Sequence, residues 1–99
     1  MDLVLPLKAV YFHAIKAGTK TEEFRLRTPF WHKRLEGRTF DRIVLTLGYP
    51  SRDDAERRLV LPWRGVRETT ITHPHFGAEP VEVYAIRVAP PRNPGASHG

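Results

Sequence analysis

The sequence predicts a small α+β domain that is mainly β: an antiparallel β-barrel with short helices. Three observations support this class. Several short apolar runs have the composition of strands, only two segments have helical spacing, and the two types do not alternate in the βαβα order of a doubly wound sheet. The chain has 99 residues, which is enough for one modest core. We therefore expect one domain over residues 1–89.

The first half of the chain is expected to form strand, helix, strand and helix. The first strand covers residues 3–7, and apolar residues recur at helical spacing in the segment that follows. Gly18 is expected to end this helix, because glycine adopts the left-handed conformation of a helix C-terminus at little cost. Residues 21–27 then alternate as a strand does. A second short helix is expected near residues 30–35.

The second half is expected to contain strands joined by turns. Residues 43–47 are almost continuously apolar, which is typical of a central strand. Pro62 marks residues 59–63 as an edge or bulged strand, because proline cannot donate a hydrogen bond to a neighbouring strand. A short turn leads to a strand at residues 66–73. The last strand, residues 83–88, alternates, which predicts one buried and one exposed face.

Residues 90–99 differ in composition from the rest. The segment contains three prolines and otherwise mainly small or polar residues. Such a segment cannot bury enough apolar surface to offset the entropy of ordering it. We expect a disordered C-terminal tail without a site.

The most informative stretch is GTKTEEFR, which begins at the expected glycine turn. It places Lys20, Glu23 and Arg25 within one short stretch. Because side chains alternate along a strand, Glu23 and Arg25 share one side, and we expect Phe24 and Leu26 to point inward on the other. The sequence therefore predicts a cluster of two cations and one carboxylate on an open surface.

The pattern GxKxxExR after a helix of this kind resembles the ASCH family, small domains related to the PUA fold and associated with RNA and nucleotide chemistry. The resemblance covers most of the chain: GRTFDRIVLTLG is similar to a strand of that family, and PVEVYAIRVA resembles its last strand. It implies a PUA-like barrel and a ligand cleft that contains Lys20, Glu23 and Arg25.

Composition narrows the function classes. Sixteen Lys and Arg against eleven Asp and Glu give a net charge of +5, which favours polyanions such as RNA or phosphorylated small molecules. The absence of cysteine excludes disulfides, thiolate metal sites and a cysteine nucleophile. Neither a Walker-type loop nor a GxSxG motif occurs. With no apolar run long enough for a membrane span and no secretory signal, we expect a cytoplasmic protein without membrane attachment.

No metal or cofactor is expected. His73 and His75 flank a rigid proline without a partner motif nearby, so we interpret them as part of a solvated turn. Zinc requires three or four ligands in tetrahedral reach, and this pair supplies too few.

Candidate site residues follow from the motif and its surroundings. The candidate ligand-binding residues are Lys20, Thr21, Glu23, Arg25, Arg27, Trp31, Ser51 and Arg52. If the protein is an enzyme, the candidate catalytic residues are Lys20, Glu23 and Arg25. Arg25 suits a phosphate or a base edge, Trp31 suits stacking, and the loop with Ser51 and Arg52 is expected to form a second wall of the cleft.

Three functions are compatible with this site. The first is binding of RNA or a nucleotide-like small molecule. The second is metal-independent ribonuclease activity, in which Glu23 or Lys20 acts as the base. The third, implied by the resemblance, is hydrolysis of acylated cytidine, although members with that activity have a threonine nucleophile at the position of Glu23. The oligomeric state is left open.

Overall fold

The computed structural model describes residues 1–89 as six strands, two α-helices and two short 3₁₀ turns. The strands and helices are β1 Asp2–Leu7, α1 Ala9–Lys16, β2 Glu22–Leu26, α2 Pro29–Leu35, β3 Arg42–Leu47, β4 Arg58–Pro62, β5 Val66–Ile71 and β6 Val81–Arg87. The 3₁₀ turns are Ala55–Arg57 and Pro74–Phe76. A mainly β fold with two short helices is therefore confirmed. The expected tail, residues 90–99, lies outside the described residues.

The strands form two three-stranded sheets, with orders β1-β3-β4 and β2-β6-β5. Only β1 and β3 are parallel; the other three pairs are antiparallel. The predicted central position of β3 and the edge position of the strand with Pro62 are both confirmed. Over residues 1–89 the two sheets do not close into the expected barrel, because β4 and β5, although adjacent in sequence, pair in different sheets.

The core lies between the two sheets. In the first sheet, Leu3, Ile43 and Leu61 are direct neighbours across the strands, so their side chains share the inner face. Tyr84 and Ile86 from β6 belong to the same buried cluster. The helices contribute Phe12, Ile15 and Leu35 to this cluster.

The expected exposed face of the last strand is wrong. Val83 and Ala85 alternate with Tyr84 and Ile86, yet all four are at most 2% exposed. β6 is the central strand of its sheet and is buried on both faces. A strand in that position does not show the inside-outside pattern of a half-buried one.

β1 and β2 are each the edge strand of their sheet. One guanidinium nitrogen of Arg25 on β2 lies 3.4 Å from the carbonyl oxygen of Pro6 on β1 and donates to it. The two edges therefore approach each other without forming a ladder. The predicted motif lies in the space beside these two strand edges.

Candidate functional site

The glycine turn positions the start of the motif as expected. Gly18 has a φ of +83°, which glycine adopts at little cost, and α1 ends just before it. The carbonyl oxygen of Ala14 accepts hydrogen bonds from the backbone N–H groups of Thr19 and Lys20 at 3.0 and 3.2 Å. These bonds fix the backbone of Lys20 against the end of the helix.

The orientation of β2 differs from the prediction. Glu23 pairs with Ile86, and Arg25 with Tyr84, which are both core residues. Directly paired residues of antiparallel strands share a face, so Glu23 and Arg25 lie on the core-facing side. Glu23 is only 5% exposed, whereas Leu26, expected inside, is 37% exposed. The motif side chains thus project into the cleft between the sheets and not onto an open surface.

Lys20, Glu23 and Arg25 form one ionic cluster. The Lys20 ammonium lies 3.5 Å from Oε1 of Glu23, and the Arg25 guanidinium donates to Oε2 of the same carboxylate. The same guanidinium donates to the carbonyl oxygen of Phe24 at 2.9 Å. The side chains of Glu23, Lys20 and Arg25 are 7%, 17% and 18% exposed. Each oxygen of a nearly buried carboxylate therefore contacts a separate cation.

Aromatic rings surround both cations. The Lys20 ammonium lies 4.7 Å from the ring centre of Phe24 and 5.2 Å from that of Tyr11. The Arg25 guanidinium carbon lies 5.4 Å from the ring of Trp31. These distances are within the range of cation–π attraction. The rings also shield the ion pairs from water, which strengthens their electrostatic interaction.

The cluster lies in a cavity of about 330 Å³. The cavity is lined by Pro6, Leu7, Lys8, Tyr11, Lys20, Glu23, Phe24, Arg25, Leu26, Thr28, Trp31, His73, His75 and Phe76. Its charged groups are three cations and a single carboxylate, so the cavity has an excess of positive charge. An anionic ligand with an aromatic ring matches this combination.

Trp31 is held in the cleft wall by α2. Thr28 caps this helix, and its hydroxyl accepts a hydrogen bond from the backbone N–H of Trp31 at 3.3 Å. At the other end of α2, the hydroxyl of Tyr84 donates to Glu36 at 3.1 Å. Burial, followed by this hydrogen bond, raises the pKa of Tyr84 above its usual value. The helix is thus fixed at both ends, and Trp31 lies beside Arg25 as a wall of the cavity.

Four of the candidate ligand-binding residues lie outside this cavity. Thr21 is exposed, and its carbonyl oxygen accepts from the backbone N–H of Val88. Arg27 does not line the cavity and forms ion pairs with Glu68 and Glu82. The remaining two, Ser51 and Arg52, are exposed in the loop after β3 and do not line the cavity. The expected second wall is therefore wrong.

That wall is formed instead by the 3₁₀ turn before β6. His73, His75 and Phe76 line the cavity, with the His73 ring 6.1 Å from Tyr11. The expectation of a solvated turn is wrong for the side chain of His73, which is half-buried. Its Nδ1 accepts a hydrogen bond from the backbone N–H of His75 at 3.1 Å, which caps the turn. In the sequence, only the dense run of rings in HPHF hints at this wall, and such a run does not show where the segment lies in the fold.

Within residues 1–89, the structure contains no group of three or more His, Cys, Asp or Glu side chains arranged to hold a metal.

The outer face of β2 has its own ion pair. Glu22 accepts two hydrogen bonds of 2.9 Å from the guanidinium of Arg67 on β5. These hydrogen bonds, more than any other interaction, lower the pKa of Glu22 below its ordinary value. The Arg67 side chain is 59% exposed, so this pair lies in contact with water.

Comparisons with protein-family models, with curated proteins and with solved structures find no match to this chain. None of the helices within the described residues is long and apolar enough to cross a membrane.

Proposed function

We propose that this chain is an ASCH-like, PUA-related domain that binds RNA or a nucleotide-like ligand in the cleft between β1 and β2. The observation that carries the proposal is the Glu23 carboxylate, held between Lys20 and Arg25 at the base of an aromatic-walled cavity. The three groups have separate tasks in this proposal. Glu23 accepts hydrogen bonds from N–H groups of a base edge, and the cations attract the phosphate.

The walls and the size of the cavity support a single flat ring as the buried part of the ligand. Trp31 lies on one side of the cluster, and Tyr11 and Phe24 lie on the other. Aromatic side chains of this kind stack on unpaired bases. A volume of about 330 Å³ is at the lower end for small-molecule sites, which suits one nucleoside-sized unit.

The family assignment is supported by the order of elements around the motif. A strand and a helix ending at Gly18 precede the motif strand, and a second short helix follows it. In this proposal the PUA-related barrel is open: two facing sheets enclose the core, and over residues 1–89 no continuous ladder of hydrogen bonds joins their edges.

The geometry favours binding over catalysis. As a base, Glu23 would take up a proton and lose the charge that pairs with both cations, whereas as a binding group it keeps that charge. The ribonuclease and amidohydrolase hypotheses, with Glu23 or Lys20 as the base, therefore require an ion pair of the cluster to be lost during the reaction. Binding requires only that the remaining lone pairs of the carboxylate and the donors of Arg25 meet a ligand.

The test is a titration of the protein with nucleosides, nucleoside monophosphates and short single-stranded RNAs, followed by NMR chemical shifts. Arg25→Ala is expected to weaken binding at least about tenfold, because a charge-assisted hydrogen bond contributes about 1.5–3 kcal/mol. Arg67→Ala removes an arginine of the same sheet from its outer face and is the matched control, expected to change affinity less than about twofold. RNA affinity is also expected to fall steeply with salt.

Failure of every probe to bind would refute the proposal, as would equal losses in Arg25→Ala and Arg67→Ala. The same samples test for turnover. Metal-free cleavage of RNA, or release of acid from acylated cytidine, that disappears in Glu23→Gln while binding persists would assign Glu23 to catalysis instead.

A further inference from the structure

A second depression adjoins the cleft. It is lined by Pro6, Leu7, Lys8, Ala9, Leu47, Gly48 and Tyr49, and has a volume of about 460 Å³. Three of these residues, Pro6, Leu7 and Lys8, also line the first cavity. The two spaces therefore share a wall at the end of β1, and a ligand that contacts both must be longer than one nucleotide.

Tyr49 forms the far side of the second depression, and its side chain is almost free of contacts. It is 91% exposed, the largest value among the large hydrophobic residues of the described range. Its backbone is nevertheless held in place. The N–H of Gly48 donates to the carbonyl oxygen of Leu7 at 3.0 Å, and the carbonyl oxygen of Gly48 accepts from the Thr46 hydroxyl at 2.7 Å.

A ring presented in this way has no role in packing the domain. A positive φ of 64° at Gly48 directs the chain sharply out of β3 just before Tyr49. Because the turn is anchored to β1, the backbone beside Tyr49 is fixed, and a ligand that stacks on the ring has only its side chain to order. This arrangement suits a stacking surface for a base that is not buried.

Lys8 lies at the boundary between the two spaces. It is exposed, and among residues 1–89 its side chain takes part in no ion pair. Lys20 and Arg25 pair with Glu23 inside the first cavity. Lys8 is the cation of the wall that the two spaces share, so its charge is available to a phosphate between two nucleotides.

We propose that the ligand of the cleft is a single strand of at least two nucleotides. One base lies in the cavity beside Trp31, the next base stacks on Tyr49, and Lys8 contacts the phosphate that joins them. This inference rests on the proposed nucleotide-binding function and narrows its ligand class from any nucleotide to a strand. The second base is recognised by stacking, which makes this position tolerant of sequence.

The test compares the four nucleoside 5′-monophosphates with the matching 5′-phosphorylated ribodinucleotides by calorimetry or NMR titration. Among the dinucleotides, the one that binds most tightly is expected to bind the unchanged protein about tenfold more tightly than the corresponding mononucleotide. Tyr49→Ala is expected to abolish this advantage and to leave mononucleotide affinity within about twofold. Tyr49→Phe keeps the ring and is expected to retain the advantage.

Lys8 is tested in the same way. Lys8→Ala is expected to weaken dinucleotide binding. It is also expected to reduce the slope of log affinity against log salt concentration by about 0.7, which corresponds to one phosphate contact. Lys16→Ala, an exposed lysine at the other end of α1, is the matched control and is expected to change neither. Because Lys8 and Tyr49 are both exposed, these variants are expected to fold.

The outcomes separate the two proposals. If mononucleotides bind and depend on Arg25, but dinucleotides bind no more tightly or bind independently of Tyr49, the two-nucleotide inference is overturned and the proposed function stands. If neither class of probe binds, both are overturned. Loss of the dinucleotide advantage in Tyr49→Ala alone, with Tyr49→Phe unaffected, supports the inference.

Discussion

The two faces of β2 each carry a glutamate paired with an arginine, and the two pairs have different surroundings. On the outer face, Glu22 and Arg67 form two hydrogen bonds with side chains that are 21% and 59% exposed. On the cleft face, the Glu23 side chain is 7% exposed, and two cations and aromatic rings surround it. Adjacent residues of the same type thus occupy a solvated pair and a nearly dry cluster.

This difference shows that residue type alone does not determine how much an ion pair contributes to stability. Water screens the outer pair, so its contribution to stability is small. In the cleft, the desolvation of each charge must be balanced by its partners, and removing one partner leaves the others uncompensated. The inner cluster is therefore the more fragile of the two, and it is the one that faces a cavity.

The largest expected effect compares Glu23→Gln with Glu22→Gln. Glu23→Gln leaves Lys20 and Arg25 without a counter-charge and is expected to reduce the free energy of unfolding by about 2–3 kcal/mol, less than for a fully dry pair because both cations keep some contact with water. Glu22→Gln is expected to cost about 0–1 kcal/mol. Urea denaturation at pH 7 measures both. Equal losses in the two variants would contradict the distinction between the faces.

A smaller effect is expected when the wall of the cleft is loosened through α2. Thr28→Ala removes the hydroxyl that accepts from the backbone N–H of Trp31 and is expected to cost about 1 kcal/mol. The indole N–H signal of Trp31 in an NMR spectrum is expected to shift, because the ring is no longer fixed beside Arg25. Thr21→Ala, at an exposed threonine just before β2, is the control with little expected change in either measurement. An unchanged Trp31 signal in Thr28→Ala would show that the cap does not position the ring.

The smallest effect is the pH dependence of the outer pair. The hydrogen bonds from Arg67 lower the pKa of Glu22 from its ordinary value of 4.5 in the folded protein. A carboxylate with a lowered pKa stabilises the fold above the pKa of the unfolded state, and this contribution is lost as pH falls through the folded-state pKa.

The stability gap between the unchanged protein and Glu22→Gln is accordingly expected to be below about 1 kcal/mol at pH 7, to begin to shrink near the ordinary pKa of 4.5 and to vanish only below the lowered folded-state pKa. Urea midpoints of both proteins between pH 7 and 3 measure this gap. A gap that stays constant over that interval would show that the ion pair does not contribute to it.

Lys20, Glu23, Arg25 and Trp31 are predicted from the sequence and all line the cavity, but the sequence does not reveal the other walls. Gly18 was recognisable because the end of a helix and a positive φ are properties of neighbouring residues. The shared face of Glu23 and Arg25 likewise follows from the alternation of a strand. The direction of that face was predicted wrongly, because it depends on the pairing of Glu23 with Ile86, far along the chain.

The second wall shows the same limit. The position of Ser51 and Arg52 after the central strand predicts that their loop lines the cleft, yet His73 from the turn before β6 lines it instead. Nothing local to either segment shows where it lies in the fold, since each is a short connection with turn residues. The turn before β6 belongs to the sheet of the motif strand β2, whereas the loop with Ser51 and Arg52 belongs to the other sheet, and this assignment depends on strand pairing.

The sequence by itself thus determined the elements, the glycine turn, the edge position of the strand with Pro62 and the grouping of Glu23 with Arg25. These features depend on backbone preferences and side-chain periodicity within a few residues. The tertiary structure alone decided that the group is buried, that aromatic rings enclose it and that the depression lined by Tyr49 shares a wall with its cavity. Those features depend on which strands pair and which sheet edges meet, and contacts between distant residues leave no local pattern from which they can be read.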